Sequence, residues 1–399
     1  MPVQFSYSYK LELSYISSSN NKEYIIAAPS VSYLYIMRDY ETDVRPYILF
    51  KVKLDSDIYS RMHDDQGKGK INLNIMVYNK NGTSSVYKSY INDQFDFMMQ
   101  ENPNPTSEFD KAVAGQGIAY KTCTVGLHKS DLIKQNQRQF NGIYKNTNMS
   151  SLVLDATSHM RMLIEPLKFN TPIENLQVPA VDTVAKYLAF LNNKYNFYGE
   201  QYTYFCDFDK TYLKSNSGKY IDAKDGQYPY VAIDIRKMSD YKSHTTGIVV
   251  DDSQKAYIIY IDPSYVTIDP DRITPQTSAT IVSIDDNGNK QSSMIDTSII
   301  TNTSSDENSK LFVSSNDPNV SEYIANSVTN RSVPIIISKT EMDATLFTPN
   351  KEYLISNYEG NNNYTGRYYL ASKQEYFVNK ETEFMCTINL GLRMVVHYK

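Results

Sequence analysis

The sequence predicts an α+β, mainly β protein of more than one domain. Three observations carry this: period-two alternation of apolar and polar residues over the first 125 residues and most of the last 170, one clear amphipathic helix near residues 182–194, and a length of 399 residues. That length exceeds one ordinary core and gives two or three domains enough apolar surface to fold without disulfide staples.

The first strands are read from alternation. Over Tyr47–Leu54, Ile48, Phe50, Val52 and Leu54 take one side while Lys51 and Lys53 take the other. Over Lys70–Tyr78, Ile71, Leu73, Ile75 and Val77 alternate with Asn72, Asn74, Met76 and Tyr78. Asn79-Lys80-Asn81-Gly82 then supplies turn residues for a hairpin continuing through Val86 to Ile91. Asp64-Asp65-Gln66-Gly67-Lys68-Gly69-Lys70 has the glycines and lysines of a phosphate loop. Such a loop opens a helix, whereas this one runs into a strand, so a solvated hairpin loop is expected.

Helices enter near residue 146. Asn148-Met149-Ser150 can cap a short helix carrying Leu152, Val153 and Ala156. A second helix is expected from Asp182 as its cap, with Pro179 barring an earlier start and Val184, Tyr187, Leu188 and Leu191 forming one apolar stripe. Tyr204, Cys206 and Phe208 then alternate with Phe205, Asp207 and Asp209, so this helix should pack on a sheet.

Strands return at Tyr230–Ile235, Gly247–Val250, Tyr257–Ile261 and Thr280–Ile284. Residues 288–318 have the polar composition of an insertion loop, for which mobility is expected. Asp317-Pro318 should start a helix ending before Pro334, and Gly366 and Gly391 mark bends or bulges in the final strands. The expected division is 1–145, a first β domain; 146–225, an α/β connecting domain; and 226–399, a second β domain with the polar insertion.

Composition narrows function. The hydrophobic fraction of 41% and charged fraction of 21% are those of a folded globular chain. A formal net charge of −5 argues against non-specific binding to DNA or anionic membranes, which runs on Lys and Arg. The 35 Tyr beside no Trp suit half-buried strands and interfaces, although an AT-rich coding bias raises Tyr, Asn, Lys and Ile together and explains the excess equally well. Cys123, Cys206 and Cys386 form no CxxC pair and are expected as reduced, buried thiols. The opening MPVQFSYSYKLELSY lacks the pattern of a secretory signal, and no stretch has the apolar length of a membrane span, so synthesis in the cytoplasm without a membrane anchor is expected.

Catalytic signals are missing. His63, His128, His159, His244 and His397 are scattered, with no HExxH, and no GxSxG elbow, phosphate loop or dinucleotide fingerprint is present. The best acid–base pair is Asp207 and Asp209, which a strand would put on one face about 7 Å apart, as in a glycosidase. A solvated strand face is the preferred reading. Asp251-Asp252 and Asp285-Asp286 fit turns. No catalytic, cofactor-binding or metal-ligating residue is assigned, and no cofactor is expected.

Three stretches carry a family resemblance. Pro179–Ser215, PAVDTVAKYLAFLNNKYNFYGEQYTYFCDFDKTYLKS, is similar to the segment of phage baseplate and tail-hub proteins in which a short amphipathic helix ends in a Tyr-x-Phe-Tyr turn and enters a strand bearing aspartates. Leu163-Ile164-Glu165-Pro166 resembles that family's extended linker. Leu346-Phe347-Thr348-Pro349-Asn350-Lys351-Glu352-Tyr353, followed by Tyr364-Thr365-Gly366-Arg367-Tyr368-Tyr369-Leu370, resembles the ending of the hub's second barrel, with Asn350 where many relatives carry Gly. Met37–Asp43, leading through Arg45-Pro46 into a strand, resembles the opening barrel of hubs from phages of low-GC bacteria.

The resemblance implies two tail-tube-like antiparallel β-barrel domains joined by α/β connecting elements, in a homotrimer whose six barrels continue a sixfold tail tube. The implied partners are tail tube or distal tail proteins, a central spike or tip protein, and in some assemblies a tape measure protein. DNA would pass through the channel without sequence-specific binding, and the protein would reside in the virion tail or baseplate. A tail-associated cell-wall hydrolase and a β-sandwich glycan-binding adhesin are the alternative readings.

Overall fold

The computed structural model describes residues 7–42, 44–80, 87–101, 120–170, 172–195, 198, 202–215, 229–237, 248–251, 256–268, 278–284, 290–296, 310–314, 334–357, 365–381 and 383–394. Mainly β structure is what it shows, centred on a closed antiparallel barrel.

The chain opens with β1 (Tyr7–Ile16), β2 (Glu23–Ile26), β3 (Val31–Asp39) and β4 (Tyr47–Asp55). Helix α1 (Ser56–Asp64) follows, then β5 (Lys70–Asn79), β6 (Lys88–Glu101) and β7 (Tyr120–His128). Alternation works as the sequence predicts: Ile48, Phe50, Val52 and Leu54 of β4, and Ile71, Leu73, Ile75 and Val77 of β5, are buried. Each such side chain contributes about 1.5–3 kcal/mol through apolar area removed from water.

Helix α1 is absent from the sequence expectation. Asp55 caps it, accepting from the Ile58 amide at 2.8 Å, and Tyr59 and Met62 pack into the barrel core. The segment 64–70 therefore follows a helix and does not join two strands directly. Gly67 takes φ +75 there, and a Cβ on Gly69 would press on Tyr15 Cε2 at 3.0 Å, which is why glycine stands at both positions.

The connecting region holds α2 (Ser130–Asn136), β8 (Gln137–Asn148), α3 (Met149–Thr157), β9 (Met162–Ile164) and β10 (Pro172–Thr183). It continues with α4 (Val184–Tyr195), β11 (Tyr202–Cys206) and β12 (Thr211–Ser215). Asn148 caps α3 as expected, accepting from the Ser151 amide at 2.9 Å. On α4 the stripe Val184, Tyr187, Leu188 and Leu191 is buried, with Tyr187 stacked on Phe140 at 4.1 Å between ring centroids. Its cap is Thr183, whose Oγ1 accepts from the Lys186 amide at 3.2 Å; the expected cap, Asp182, instead pairs with Lys186 Nζ at 2.7 Å. This region has its own apolar core, separate from that of the barrel.

Beyond it lie β13 (Tyr230–Ile235), β14 (Ile248–Asp251), β15 (Ala256–Ile261), β16 (Val266–Ile268), β17 (Ser278–Ile284), β18 (Lys290–Asp296) and β19 (Lys310–Ser314). The chain ends through β20 (Pro334–Thr340), β21 (Glu352–Asn357), β22 (Gly366–Lys380) and β23 (Glu383–Met394). Strands β17, β18 and β19 form a separate sheet, so the polar stretch 288–318 contributes two strands where only a loop was expected. The helix expected after Asp317 lies outside the described residues.

Strand order explains the architecture. The ring β22-β3-β4-β7-β6-β5-β1-β23 closes on itself because β22 and β23 pair with each other, and every ladder around it is antiparallel. An eight-stranded ring of this kind leaves room for side chains alone, and residues from the N-terminal strands and the C-terminal hairpin fill it together. The same hairpin also carries β21, β13, β15 and β14 on one flank and β20 and β16 on the other, with β13 parallel to both of its neighbours. The long β22–β23 hairpin thus belongs to two β units at once.

A β-bulge interrupts the hairpin. Leu370 pairs with Leu392 but Ser372 with Gly391, leaving Ala371 as the extra residue, and its carbonyl accepts from the Tyr40 amide at 2.8 Å. Gly391 faces this bulge, and a Cβ there would overlap Ser372 Oγ, in line with the bend expected at that glycine. Gly366 merely begins β22.

Candidate functional site

Inward alternation on β3 runs Leu34, Ile36, Arg38, and on β22 it runs Lys373, Glu375, Phe377. Charged side chains therefore stand where the barrel core is otherwise apolar. Their side-chain exposures are 5% for Arg38 and 0% for Glu375, and Lys373 keeps 2%. Buried charges of this kind persist only when paired and hydrogen-bonded.

The pairing is complete. Arg38 Nη1 donates to Glu375 Oε2, and its Nε donates to Asp207 Oδ1 at 3.1 Å. The guanidinium lies 4.8 Å from the Phe208 ring centroid and 5.5 Å from that of Tyr90. Lys373 Nζ is 3.3 Å from Glu375 Oε1 and donates to Tyr90 Oη at 3.0 Å, the Ala344 carbonyl at 2.6 Å and the Phe347 carbonyl at 3.0 Å. Tyr90 in turn donates to Glu375. A bulge aims it there: Ile75 pairs with Ile91 and Met76 with Ser89, so Tyr90 is the unpaired extra residue of β6.

Electrostatics follow from burial. Desolvation opposes the Arg38 charge, but Tyr90, Glu375 and Asp207 outweigh it and hold the group protonated. Burial raises the Tyr90 phenol well above its ordinary value and lowers the Lys373 ammonium, which Glu375 partly offsets. Two cations and two carboxylates balance locally.

Three regions of the chain meet at this cluster. Arg38, Lys373, Glu375 and Tyr90 come from the barrel, Asp207 and Phe208 from the turn between β11 and β12, and Ala344 and Phe347 from the turn before β21. Phe208 reaches Phe95 of the barrel edge-on at 5.4 Å, so the connecting region plugs the barrel mouth. The 342–351 segment is wired to its surroundings through backbone atoms. Tyr9 Oη donates to the Met342 carbonyl at 2.5 Å and accepts from the Ala344 amide at 2.9 Å, Lys214 Nζ donates to the Pro349 carbonyl at 2.5 Å, and Tyr353 Oη donates to the Thr348 carbonyl at 2.9 Å. A cleft of about 380 Å³ opens beside the cluster, between Tyr40, Asp93, Asp207, Asp209 and Thr345.

The candidate carboxylates occupy other settings than a strand would give them. Asp207 and Asp209 sit on the turn after β11, not on a strand face, and Asp207 is committed to Arg38. Asp209 lies 3.5 Å from Lys210 Nζ, and desolvation together with the Asp207 charge raises its carboxyl. Asn350, which stands where many relatives carry Gly, is buried and does not adopt a positive φ. All three cysteines are free and buried. Among the described residues no three His, Cys, Asp or Glu side chains converge as a metal site, and no helix is long and apolar enough to cross a membrane. His159 Nε2 lies 2.9 Å from the Gln135 carbonyl, His63 pairs with Asp64 at 3.6 Å, and His244 and His397 are outside the described residues.

The sequence reading missed Arg38, Lys373 and Glu375. Their signal was phase: charged residues occupying the apolar positions of an alternating strand. What the cluster can do is mechanical, since its ionised groups point at one another.

Residues 5–395 match the family model described as Bacteriophage PBS1 gene 109 protein. Among solved structures, the tail protein from Neisseria meningitidis MC58 superposes with a TM-score of 0.53 at 9% identity, covering 96% of each chain. The 43 kDa tail protein of prophage MuSo2 from Shewanella oneidensis gives 0.51 at 10% identity, again over 96% of each chain. The Francisella PdpA–VgrG complex, half-lidded, gives 0.54 at 11% identity, over 100% of this chain and 61% of that one. No curated protein matches the sequence. With the family matched over nearly its whole length, the chain belongs to the Bacteriophage PBS1 gene 109 protein family, and its fold is similar to that of these tail proteins.

Proposed function

We propose that the protein is a homotrimeric hub of the phage tail or baseplate, joining the tail tube to a central spike or tip and enclosing a channel for DNA. The observation that carries this is the shared hairpin: β22 and β23 belong to the closed barrel and to the second β unit, and the Arg38–Glu375–Lys373 cluster fastens the connecting region into the same mouth. Such a protomer holds two β units at a fixed offset, which a subunit that adapts one ring symmetry to another requires. The likeness to tail proteins and to a chain of a PdpA–VgrG complex supports partners of the tail and spike class.

Residence in the virion tail follows from this reading, and catalysis is not needed for it. Light scattering at micromolar concentration with negative-stain imaging tests it: a trimer with a central hole is expected, and a monomer at every concentration overturns it. Zymography on cell-wall substrate addresses the hydrolase reading suggested by Asp207 and Asp209. No clearing is expected, and clearing lost in Asp207→Asn would favour the enzyme.

A further inference from the structure

Lys214 and Asn350 belong to different parts of the fold and meet where the connecting region abuts the second β unit. Lys214 stands on β12, and Asn350 lies two residues before β21. Each keeps only 4% of its surface exposed. Lys214 Nζ donates to the Pro349 carbonyl at 2.5 Å, the one hydrogen bond of its ammonium among the described residues. A trans peptide puts the Cα of the next residue roughly 2.8 Å from that oxygen, so the amine lies within about 5 Å of the Asn350 Cα, and the carboxamide carbon is two bonds further on.

Two polar groups here are buried without a hydrogen bond. One is Asn350 Oδ1, and the other is Thr203 Oγ1, on the residue that faces Lys214 across the β11–β12 ladder. Buried polar groups are nearly always paired, and an unpaired one calls for a cause such as strain or reactivity. No hydrogen bond holds the Asn350 carbonyl away from the amine. A primary amine becomes a nucleophile when it is desolvated and loses its proton. Burial drives Lys214 that way, lowering its ammonium from 10.5 to about 8 against the opposing pull of Glu165. Glu165 is anchored on both sides of Lys214: its amide donates to the Leu213 carbonyl at 2.9 Å, and its carboxylate accepts from the Ser215 amide at 2.6 Å and from Ser215 Oγ at 3.3 Å.

We propose that Lys214 and Asn350 join in an intramolecular isopeptide bond, formed by the chain itself. No outside reagent is needed. The Lys214 ammonium sheds two protons, its nitrogen lone pair bonds to Asn350 Cγ, and the Cγ–Nδ2 bond breaks. The leaving nitrogen takes both protons by way of the Glu165 carboxylate and departs as ammonium, so atoms and charge are conserved and Glu165 ends as it began. Burial keeps water from competing for the carboxamide. The product ties the connecting region to the second β unit covalently, as the Arg38–Asp207 pair ties it to the barrel by charge. Chains that have reacted no longer titrate at Lys214. The link lies within one chain and does not depend on the trimeric hub reading.

Intact mass spectrometry of the purified full chain tests this, before and after prolonged incubation at about pH 9, above the Lys214 value. A fraction lighter than the sequence mass by one ammonia is expected, and it should grow with incubation. A tryptic digest should then hold a branched peptide of residues 211–219 and 340–351, uncut after residue 214. Lys214→Arg and Asn350→Ala should each keep the full mass of their own sequence. Glu165→Gln, which retains both reactants, should link at least tenfold more slowly. Should Lys214→Arg not fold, Asn350→Ala serves in its place, and the wild-type peptide map needs neither variant. A wild type still at full mass after incubation overturns the proposal. So does an ammonia loss without the branched peptide, because an asparagine has then closed on its own backbone, and so does a loss of equal size in Lys214→Arg. Linking of Glu165→Gln at the wild-type rate overturns the step as written.

Discussion

Arg38 on β3 and Glu375 on β22 form an ion pair inside the barrel across 337 residues of sequence, and both side chains are almost wholly removed from water. Removing one member leaves the other charge buried and unpaired, which costs far more than the net worth of the pair. Glu375→Ala should lower unfolding stability by about 3–5 kcal/mol in urea titrations. Adding Arg38→Ala should cost less than the sum of the single losses, by about 1–3 kcal/mol. Additivity within error would show that the two residues act independently.

Asp207 carries the second bond to Arg38 and so fastens the β11–β12 turn to the barrel mouth. Asp207→Asn keeps the shape but loses the carboxylate charge, and a loss of about 1–3 kcal/mol is expected. Amide exchange gives the sharper reading, because protection should fall first at Phe208 and the neighbouring turn while the barrel strands keep theirs. Uniform loss across the barrel would contradict a local fastening role.

Much of this architecture was legible locally and little of it globally. The α4 stripe from Val184 to Leu191 and the alternation of β4 and β5 could be read because each depends on residues a few positions apart. Barrel closure could not, since Tyr9 pairs with Phe384, and no local period announces a partner that distant. Helix α1 was missed because it is one short element set between two strongly alternating strands, its only local sign being the Asp55 cap with Tyr59 and Met62 three apart. Asp207 looked like half of a solvated pair because its partner, Arg38, lies 169 residues away. The lesson is physical: a charge at an apolar phase of a strand marks a partner that has to be sought elsewhere in the chain.

Asp65 sets an acid limit on the barrel's other end. It accepts from Ser17 Oγ at 2.8 Å, the Ser18 amide at 2.9 Å and Ser18 Oγ at 2.5 Å, and from the Tyr15 hydroxyl. Desolvation works to raise its carboxyl, but these hydrogen bonds outweigh it and hold the group below the usual carboxylate range. With the folded value depressed, the unfolded chain binds the proton more readily, so the stabilisation is present above the ordinary carboxylate range and disappears as the pH falls toward the folded value. Asp65→Asn should flatten the stability profile below pH about 4, measured by thermal melts against the wild type. An unchanged acid limb would refute the assignment.

Lys214 acts at the opposite end of the pH scale. Its side chain is buried, its ammonium donates to the Pro349 carbonyl, and desolvation, only partly offset by Glu165, lowers its value from 10.5 to about 8. Here the folded value is depressed for a base, so between about pH 8 and 10.5 the unfolded chain holds a proton that the folded chain has released. The sign is therefore a gain: this group's contribution to stability is smallest below pH 8 and grows as the pH rises toward 10.5, by up to about 3 kcal/mol. Denaturant titrations at a series of pH values should show that rise in the wild type and not in Lys214→Met, which removes the titrating group and keeps the stem. A rise of equal size in both proteins would assign it to other groups, because Lys214 is then protonated to the same extent folded and unfolded.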